Sequence, residues 1–252
     1  MNEKKFDNKG NVYEKGRPSY PVQLFEYLVN AKVIRKQLSL ADIGSGTGVL
    51  TLQMSSLVKD IFAVEPNKDM RDKAEIAYKD FANIISVNGT AESTTLKDKC
   101  VDLITAAQAF HWFDRQLFKQ ECQRILKKGG KVILVWNDRD SNAEIIRENF
   151  EVNNIYCPNF KGSSNGMDFS KESFKDFFEG DIEYVEFENS LVYDKDIFIA
   201  RNLSSSYSPK SSDECYNIYV KAISELFNKY SINGFVKYPY ITRCYIGKVD
   251  LE

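Results

Sequence analysis

Leu40-Ala41-Asp42-Ile43-Gly44-Ser45-Gly46-Thr47-Gly48 is the stretch that decides how this chain is read. An apolar strand runs into a turn with glycine at every second position. Such a turn bends tightly and lets a ligand approach the main chain at van der Waals distance. The dinucleotide fingerprint spaces its glycines G-x-G-x-x-G, whereas here Val49 stands where the third small residue belongs, which argues against NAD. Glu65 follows 21 residues after Gly44, at the end of the next apolar run, where a carboxylate accepts both hydroxyls of an adenosine ribose. Alone, a glycine-rich turn is commonly only a turn, and an acid after a strand is commonly solvated; together, at this spacing, they point to a nucleotide-type cofactor.

Working outward, apolar runs at 38–43, 61–64, 84–87, 101–107 and 131–136 alternate with longer amphipathic or polar segments. That alternation is the βαβ signature of a parallel sheet. Val22, Phe25, Leu28, Val29 and Val33 share one helical face, as do Leu117, Phe118, Cys122, Ile125 and Leu126, with Gly129-Gly130 placed to end the second helix. Beyond 137 the spacing predicts a helix to about 155, a polar loop at 161–166, a short helix, a strand near 184–192, helices at about 196–202 and 213–230, and a closing strand over 235–249. The expected fold is α/β: a Rossmann-like, doubly wound, mostly parallel seven-stranded sheet with an antiparallel edge strand and a helical cap. Residues 1–252 read as a single domain, divided into an N-terminal lid arm (1–21), a cofactor-binding core (22–137), a cap with one strand (138–233) and a closing strand (234–252).

Composition narrows the function. The 34 Lys and Arg against 36 Asp and Glu give a net charge of −2, too near neutral for a phosphate-tracking surface, so nucleic acid is not the expected partner. No apolar run approaches the roughly 18 residues of a membrane span, and no apolar leader follows Met1. The expectation is a soluble cytoplasmic protein without membrane contact, monomeric or homodimeric. The five cysteines contain no C-x-x-C pair and read as free thiols. His111 is the only histidine, which excludes two-imidazole zinc chemistry, and no metal site is expected.

Further motifs now join the first. They are Glu65-Pro66-Asn67 with Met70, Gly89-Thr90-Ala91-Glu92, Gln108-Ala109-Phe110-His111-Trp112-Phe113-Asp114, and Arg124-Ile125-Leu126-Lys127-Lys128-Gly129-Gly130, with the arm Tyr13-Glu14-Lys15-Gly16-Arg17-Pro18-Ser19-Tyr20-Pro21. With the glycine turn they resemble the class I S-adenosylmethionine-dependent methyltransferases, in particular the small-molecule branch of trans-aconitate methyltransferase-like (methyltransferase type 11) proteins. The likeness is strong over 6–137 and loose over the cap. It implies S-adenosylmethionine as cofactor and S-adenosylhomocysteine as product. Gly44, Ser45 and Gly46 would pass under the methionine part, Asp42 would hold its amino group, Glu65 the ribose and Pro66 the adenine face. Thr90, Ala91 and Glu92 would meet the adenine edge, and Gln108 would lie beside the sulfonium.

Residue chemistry fills in the acceptor side. Methyl transfer from a sulfonium is an in-line displacement in which alignment contributes as much as roughly 7–11 kcal/mol. A carboxylate acceptor needs no base, whereas a hydroxyl or ammonium does. His111 is the one imidazole available for that, or else a ring packed beside Trp112. Tyr13 and Tyr20 bracket Arg17, a candidate for the cofactor carboxylate or a plain surface arginine. Arg139 and Arg201 are candidates for an anionic small-molecule acceptor, with Tyr20, Trp112, Trp136 and Tyr207 as walls. The (Asp/Asn/Ser)-Pro-Pro-aromatic motif of DNA amino-methylating enzymes is absent, since residues 105–108 read Thr-Ala-Ala-Gln, and catechol-type magnesium ligands have no match. A non-catalytic S-adenosylmethionine or S-adenosylhomocysteine binder remains the alternative, because the glycine turn and Glu65 serve binding.

Overall fold

The computed structural model describes residues 19–162 and 166–250. The five early apolar runs are strands β1 (Ser39–Ile43), β2 (Asp60–Val64), β3 (Ile84–Val87), β4 (Val101–Ala107) and β5 (Leu126–Arg139). Helices α1 (Val22–Asn30, ahead of β1), α2 (Val49–Met54), α3 (Lys68–Tyr78) and α4 (Arg115–Ile125) lie between them, save that β3 runs to β4 through a helix-free segment at 88–100. Side-chain caps start two of them: Asn67 accepts from the Met70 N–H, and Asp114 from the N–H groups of Gln116 and Leu117. The cap supplies α5 (Glu144–Tyr156), β6 (Glu179–Glu188), β7 (Leu191–Tyr193), α6 (Lys195–Leu203) and α7 (Tyr216–Tyr230). Strands β8 (Val236–Tyr238) and β9 (Tyr240–Lys248) close the chain.

The main sheet has seven strands in the order β3-β2-β1-β4-β5-β9-β6, with β1 to β5 parallel and β9 antiparallel to both its neighbours. The antiparallel strand therefore lies one place in from the edge, and β6 takes the edge itself. One apolar layer packs Phe110, Phe118, Ile125, Trp136, Phe174 and Phe177 on one face, and the other packs Leu24, Phe25, Leu28, Leu50 and Met54 on the opposite face. Burying both faces is why the early strands read as unbroken apolar runs.

Three expectations change. Helix α4 stops at Ile125 because Leu126 is already extended and pairs with Val101, so Gly129-Gly130 lies inside β5 rather than ending a helix. The strand expected near 184–192 is two strands interrupted at Asn189-Ser190: β6 joins the main sheet, while β7 pairs with β8 in a separate two-stranded sheet, so the 138–233 segment holds two strands. The closing strand breaks at Pro239, which has no N–H to give a ladder.

Candidate functional site

Sheet order reverses between β1 and β4, and ligands of open α/β sheets bind at the carboxyl ends of the strands flanking such a point. A cleft opens there. Its walls take in Asp42, Gly44, Ser45 and Gly46 from the first turn, Gln108, His111 and Trp112 from the segment after β4, and Tyr20 from the chain before α1. Across from them stand Asn137 and Arg139 of β5, Lys161, Arg201 and the 204–207 segment of the cap, and Tyr240 of β9.

The turn residues Gly44, Gly46 and Gly48 all have positive φ, at 68°, 59° and 89°. A side chain at Gly44 would collide with the Ala109 Cβ at 2.8 Å, whereas a Cβ at Gly46 would meet nothing within 4 Å. Gly46 thus borders open cleft space. Its N–H donates to Glu65 Oε2 at 2.9 Å, and the Asn67 N–H donates to Oε1 at 2.8 Å, so Glu65 ties the turn to the start of α3. Asp42 is buried, accepting from Thr51 Oγ1 at 2.6 Å and Thr105 Oγ1 at 2.7 Å. Burial pushes its carboxyl up from 3.8 to about 6; the two threonine hydroxyls oppose the rise and the nearby Glu65 charge adds to it.

Gln108 sits at φ 55°, uncommon for a side chain with a Cβ, and its Nε2 donates to the Asn137 carbonyl at 2.7 Å. His111 lies in a 3-10 turn, Phe110–Trp112, with its ring 4.8 Å from that of Trp112. The Trp136 Nε1–H donates to His111 Nδ1 at 3.3 Å, so the neutral imidazole carries its proton on Nε2. On the cap side, Arg139 Nη1 donates to the Tyr207 hydroxyl at 2.8 Å, and Arg201 Nε donates to the Tyr240 hydroxyl at 3.1 Å.

Of the residues expected from sequence, Tyr20, Asp42, Gly44, Ser45, Gly46, Gln108, His111, Trp112, Arg201 and Tyr207 meet in this one cleft. Trp136 does not: it is fully buried under the sheet, edge-on to Phe110 and Phe169. Side chains alternate along a strand, so Trp136 faces the core and its neighbours Asn137 and Arg139 line the cleft. Among the described residues, the cleft wall does not include Glu65, Pro66, Thr90, Ala91 or Glu92. Glu65 adjoins it through Gly46, Ala91 is buried, and Glu92 Oε1 accepts from the Asp114 N–H at 3.0 Å. Tyr13 and Arg17 lie outside the described residues. Sequence reasoning did not single out Asn137, Lys161 or Tyr240. Tyr240 faces Arg139 across the β5–β9 ladder, a register with no local signal.

Known proteins bear on this geometry. A sequence family described as a methyltransferase domain matches residues 41–134. An uncharacterized methyltransferase of Mycobacterium tuberculosis is 37% identical over 147 residues, which is 58% of this chain and 58% of that protein. Another, from Schizosaccharomyces pombe, is 36% identical over 132 residues, covering 52% and 51% respectively. The chain thus spans a little over half the length of the curated relatives it matches. Among solved structures, a candidate type II methyltransferase from Anaeromyxobacter dehalogenans superposes with a TM-score of 0.67 at 20% identity, over 92% of this chain and 98% of that one. The YcgJ protein from Bacillus subtilis does so at 0.57 and 20%, over 90% and 99%. At that identity the structural likeness establishes the fold.

Residues 41–134 thus match a methyltransferase domain, and the sheet order and glycine turn around them have the arrangement of the class I methyltransferase fold. Nothing in the matched domain separates the trans-aconitate-like branch from its sister branches. No helix among the described residues is long and apolar enough to cross a membrane, and none of their His, Cys, Asp and Glu side chains form a cluster of three that would hold a metal ion.

Proposed function

We propose that this chain is an S-adenosylmethionine-dependent methyltransferase that methylates an oxygen of a small anionic acceptor, a carboxylate in preference to a hydroxyl. The observation that carries this reading is the shared cleft: the glycine turn and Asp42 line one part of it, and Arg139 and Arg201 line another.

The residues present fit the cofactor. A buried carboxylate held by two hydroxyls suits an ammonium group, and the open space at the Gly46 Cβ position admits a ligand against the main chain. Asp42 would hold the amino group, the turn 44–46 the methionine part and Glu65 the ribose. When bound, the cofactor supplies an electrophilic methyl group on a sulfonium. Everything else is alignment by the chain's own groups. Arg201 and Arg139 draw an acid group into the cap side, and Tyr207 and Trp112 wall it from water. His111, with Nδ1 engaged by Trp136, presents an N–H donor at Nε2, which suits an ionised acceptor better than it suits proton removal. Such a ligand is small, and the reading involves neither nucleic acid nor membrane.

Formation of S-adenosylhomocysteine, screened against small acids and their uncharged hydroxyl analogues, tests this. The expected result is turnover of acids only, with KM raised in Arg201→Gln. Equal turnover of uncharged alcohols, indifferent to that substitution, would overturn the reading.

A further inference from the structure

Arg139 and Arg201 enter the cleft from β5 and α6, and among the described residues neither forms an ion pair with an Asp or Glu. Two guanidiniums taken out of water need a compensating anion, and their mutual repulsion sharpens the need. Around them the structure puts phenols. Tyr207 accepts from Arg139, Tyr240 accepts from Arg201, and Tyr238 packs its ring 5.4 Å from that of Tyr240, with Tyr193 6.0 Å from Tyr238. Tyr240 is directly opposite Arg139 in the β5–β9 ladder while bonded to Arg201, so both cations bear on it. Lys161 and Asp42 line the same cleft. Asp140, Glu186, Glu188 and Lys237 border a second depression that Tyr240 also reaches.

We propose that Tyr240 is the pocket's exchangeable counter-ion: its phenolate balances Arg139 and Arg201, and a carboxylate ligand binds together with one proton that returns Tyr240 to the phenol. Atoms and charge balance, since one anion enters the pocket as a proton neutralises another. Burial by itself pushes the Tyr240 phenol up, but the Arg201 and Arg139 charges, together with hydrogen bonding from Tyr193 and Arg201, outweigh it and hold the group below its ordinary value of 10. Tyr193 and Tyr238 go up instead: burial and the Tyr240 charge outweigh Arg201 at the first, and Arg139 and Arg201 at the second. The titration stands on the cluster alone; only the nature of the ligand rests on the anionic-acceptor reading above. The consequence is a carboxylate affinity that falls as pH rises, by about tenfold per pH unit across the range in which the empty pocket has lost the proton and the filled one retains it.

The test is a tyrosinate absorbance titration of the full chain, with and without malonate as the probe, on wild type, Tyr240→Phe and Arg201→Gln. One of the 14 tyrosines should ionise ahead of the rest in wild type. That phase should vanish in Tyr240→Phe, move to higher pH in Arg201→Gln and move to higher pH with malonate. Calorimetry in buffers of different ionisation enthalpy should record uptake of close to one proton per malonate within the window. Superimposable wild-type and Tyr240→Phe titrations overturn the assignment of Tyr240 and leave the anionic reading standing. An early phase that malonate does not shift overturns the exchange and the anionic reading with it. Circular dichroism checks that Tyr240→Phe folds; if it does not, Arg201→Gln and the malonate shift in wild type decide.

Discussion

Asp42→Asn makes the most discriminating perturbation, because it should strengthen the fold and weaken the site at once. Its folded pKa of about 6 lies above the 3.8 of a free aspartate, so the folded chain binds this proton more tightly than the unfolded chain does. The destabilising contribution is therefore absent below pH 3.8, grows between 3.8 and 6, and is complete above 6. A gap of about two pKa units corresponds to about 3 kcal/mol. Asparagine removes the charge while keeping one oxygen as acceptor, and the second threonine hydroxyl can turn to accept from the new amide. Allowing for imperfect geometry, the variant should gain about 1–3 kcal/mol at pH 8 and almost nothing near pH 4, and its Tm at pH 8 should rise by about 2–10 °C. In the proposed cofactor placement the same change removes the anion assigned to the ammonium, so S-adenosylhomocysteine affinity should fall about ten- to a hundredfold, the worth of a charge-assisted bond. Urea unfolding at the two pH values and calorimetry with S-adenosylhomocysteine provide the readouts. A variant less stable than wild type at pH 8, or one that binds S-adenosylhomocysteine unchanged, would refute the reasoning.

Two glycines of the same turn should separate binding from folding. Gly46→Val places its side chain in open cleft and should abolish S-adenosylhomocysteine binding at a stability cost of about 1–2 kcal/mol for the left-handed backbone, whereas Gly48→Ala drives a methyl into the Tyr78 ring and should cost more stability than that, as thermal melts of both would record. His111→Ala should lower single-turnover methyl transfer to a carboxylate by less than tenfold, because no proton has to be removed; a loss above about a thousandfold would identify the ring as a base. Arg201→Gln should raise KM for an acidic acceptor by about ten- to a hundredfold with kcat little altered, and an unchanged KM would remove Arg201 from the acceptor site.

Much of the core was legible because of how it is buried. Strands β1, β2, β4 and the later part of β5 are covered on both faces, so their sequences are largely apolar without alternation, whereas β3 at the sheet edge leaves Ile85 exposed. The glycine turn was legible because it pairs with Glu65 at a fixed spacing across successive strands, and Asp42 only through the family resemblance. The later strands were harder. Asn189 and Pro239 split what reads as single runs, and only pairing reveals that β7 and β8 leave the main sheet. Asn137, Asp138 and Arg139 continue β5 although such residues are depleted in strands, because β9 supplies the ladder from more than a hundred residues away. That extension exchanges Trp136 for its neighbours at the site. Arg201 and Tyr207 were visible as a cation and an aromatic in the cap, but Tyr240 owes its role to cross-strand register, which no local pattern encodes.

The central claim, that the glycine turn and its acids hold S-adenosylmethionine, is tested most directly by calorimetric titration of the purified chain. S-adenosylmethionine, S-adenosylhomocysteine and NAD serve as titrants, with Gly46→Val and Glu65→Gln alongside wild type. Micromolar binding of the first two, lost in Gly46→Val and weakened in Glu65→Gln, is expected, with no binding of NAD. Binding of neither sulfur compound, or binding of NAD in their place, would contradict it.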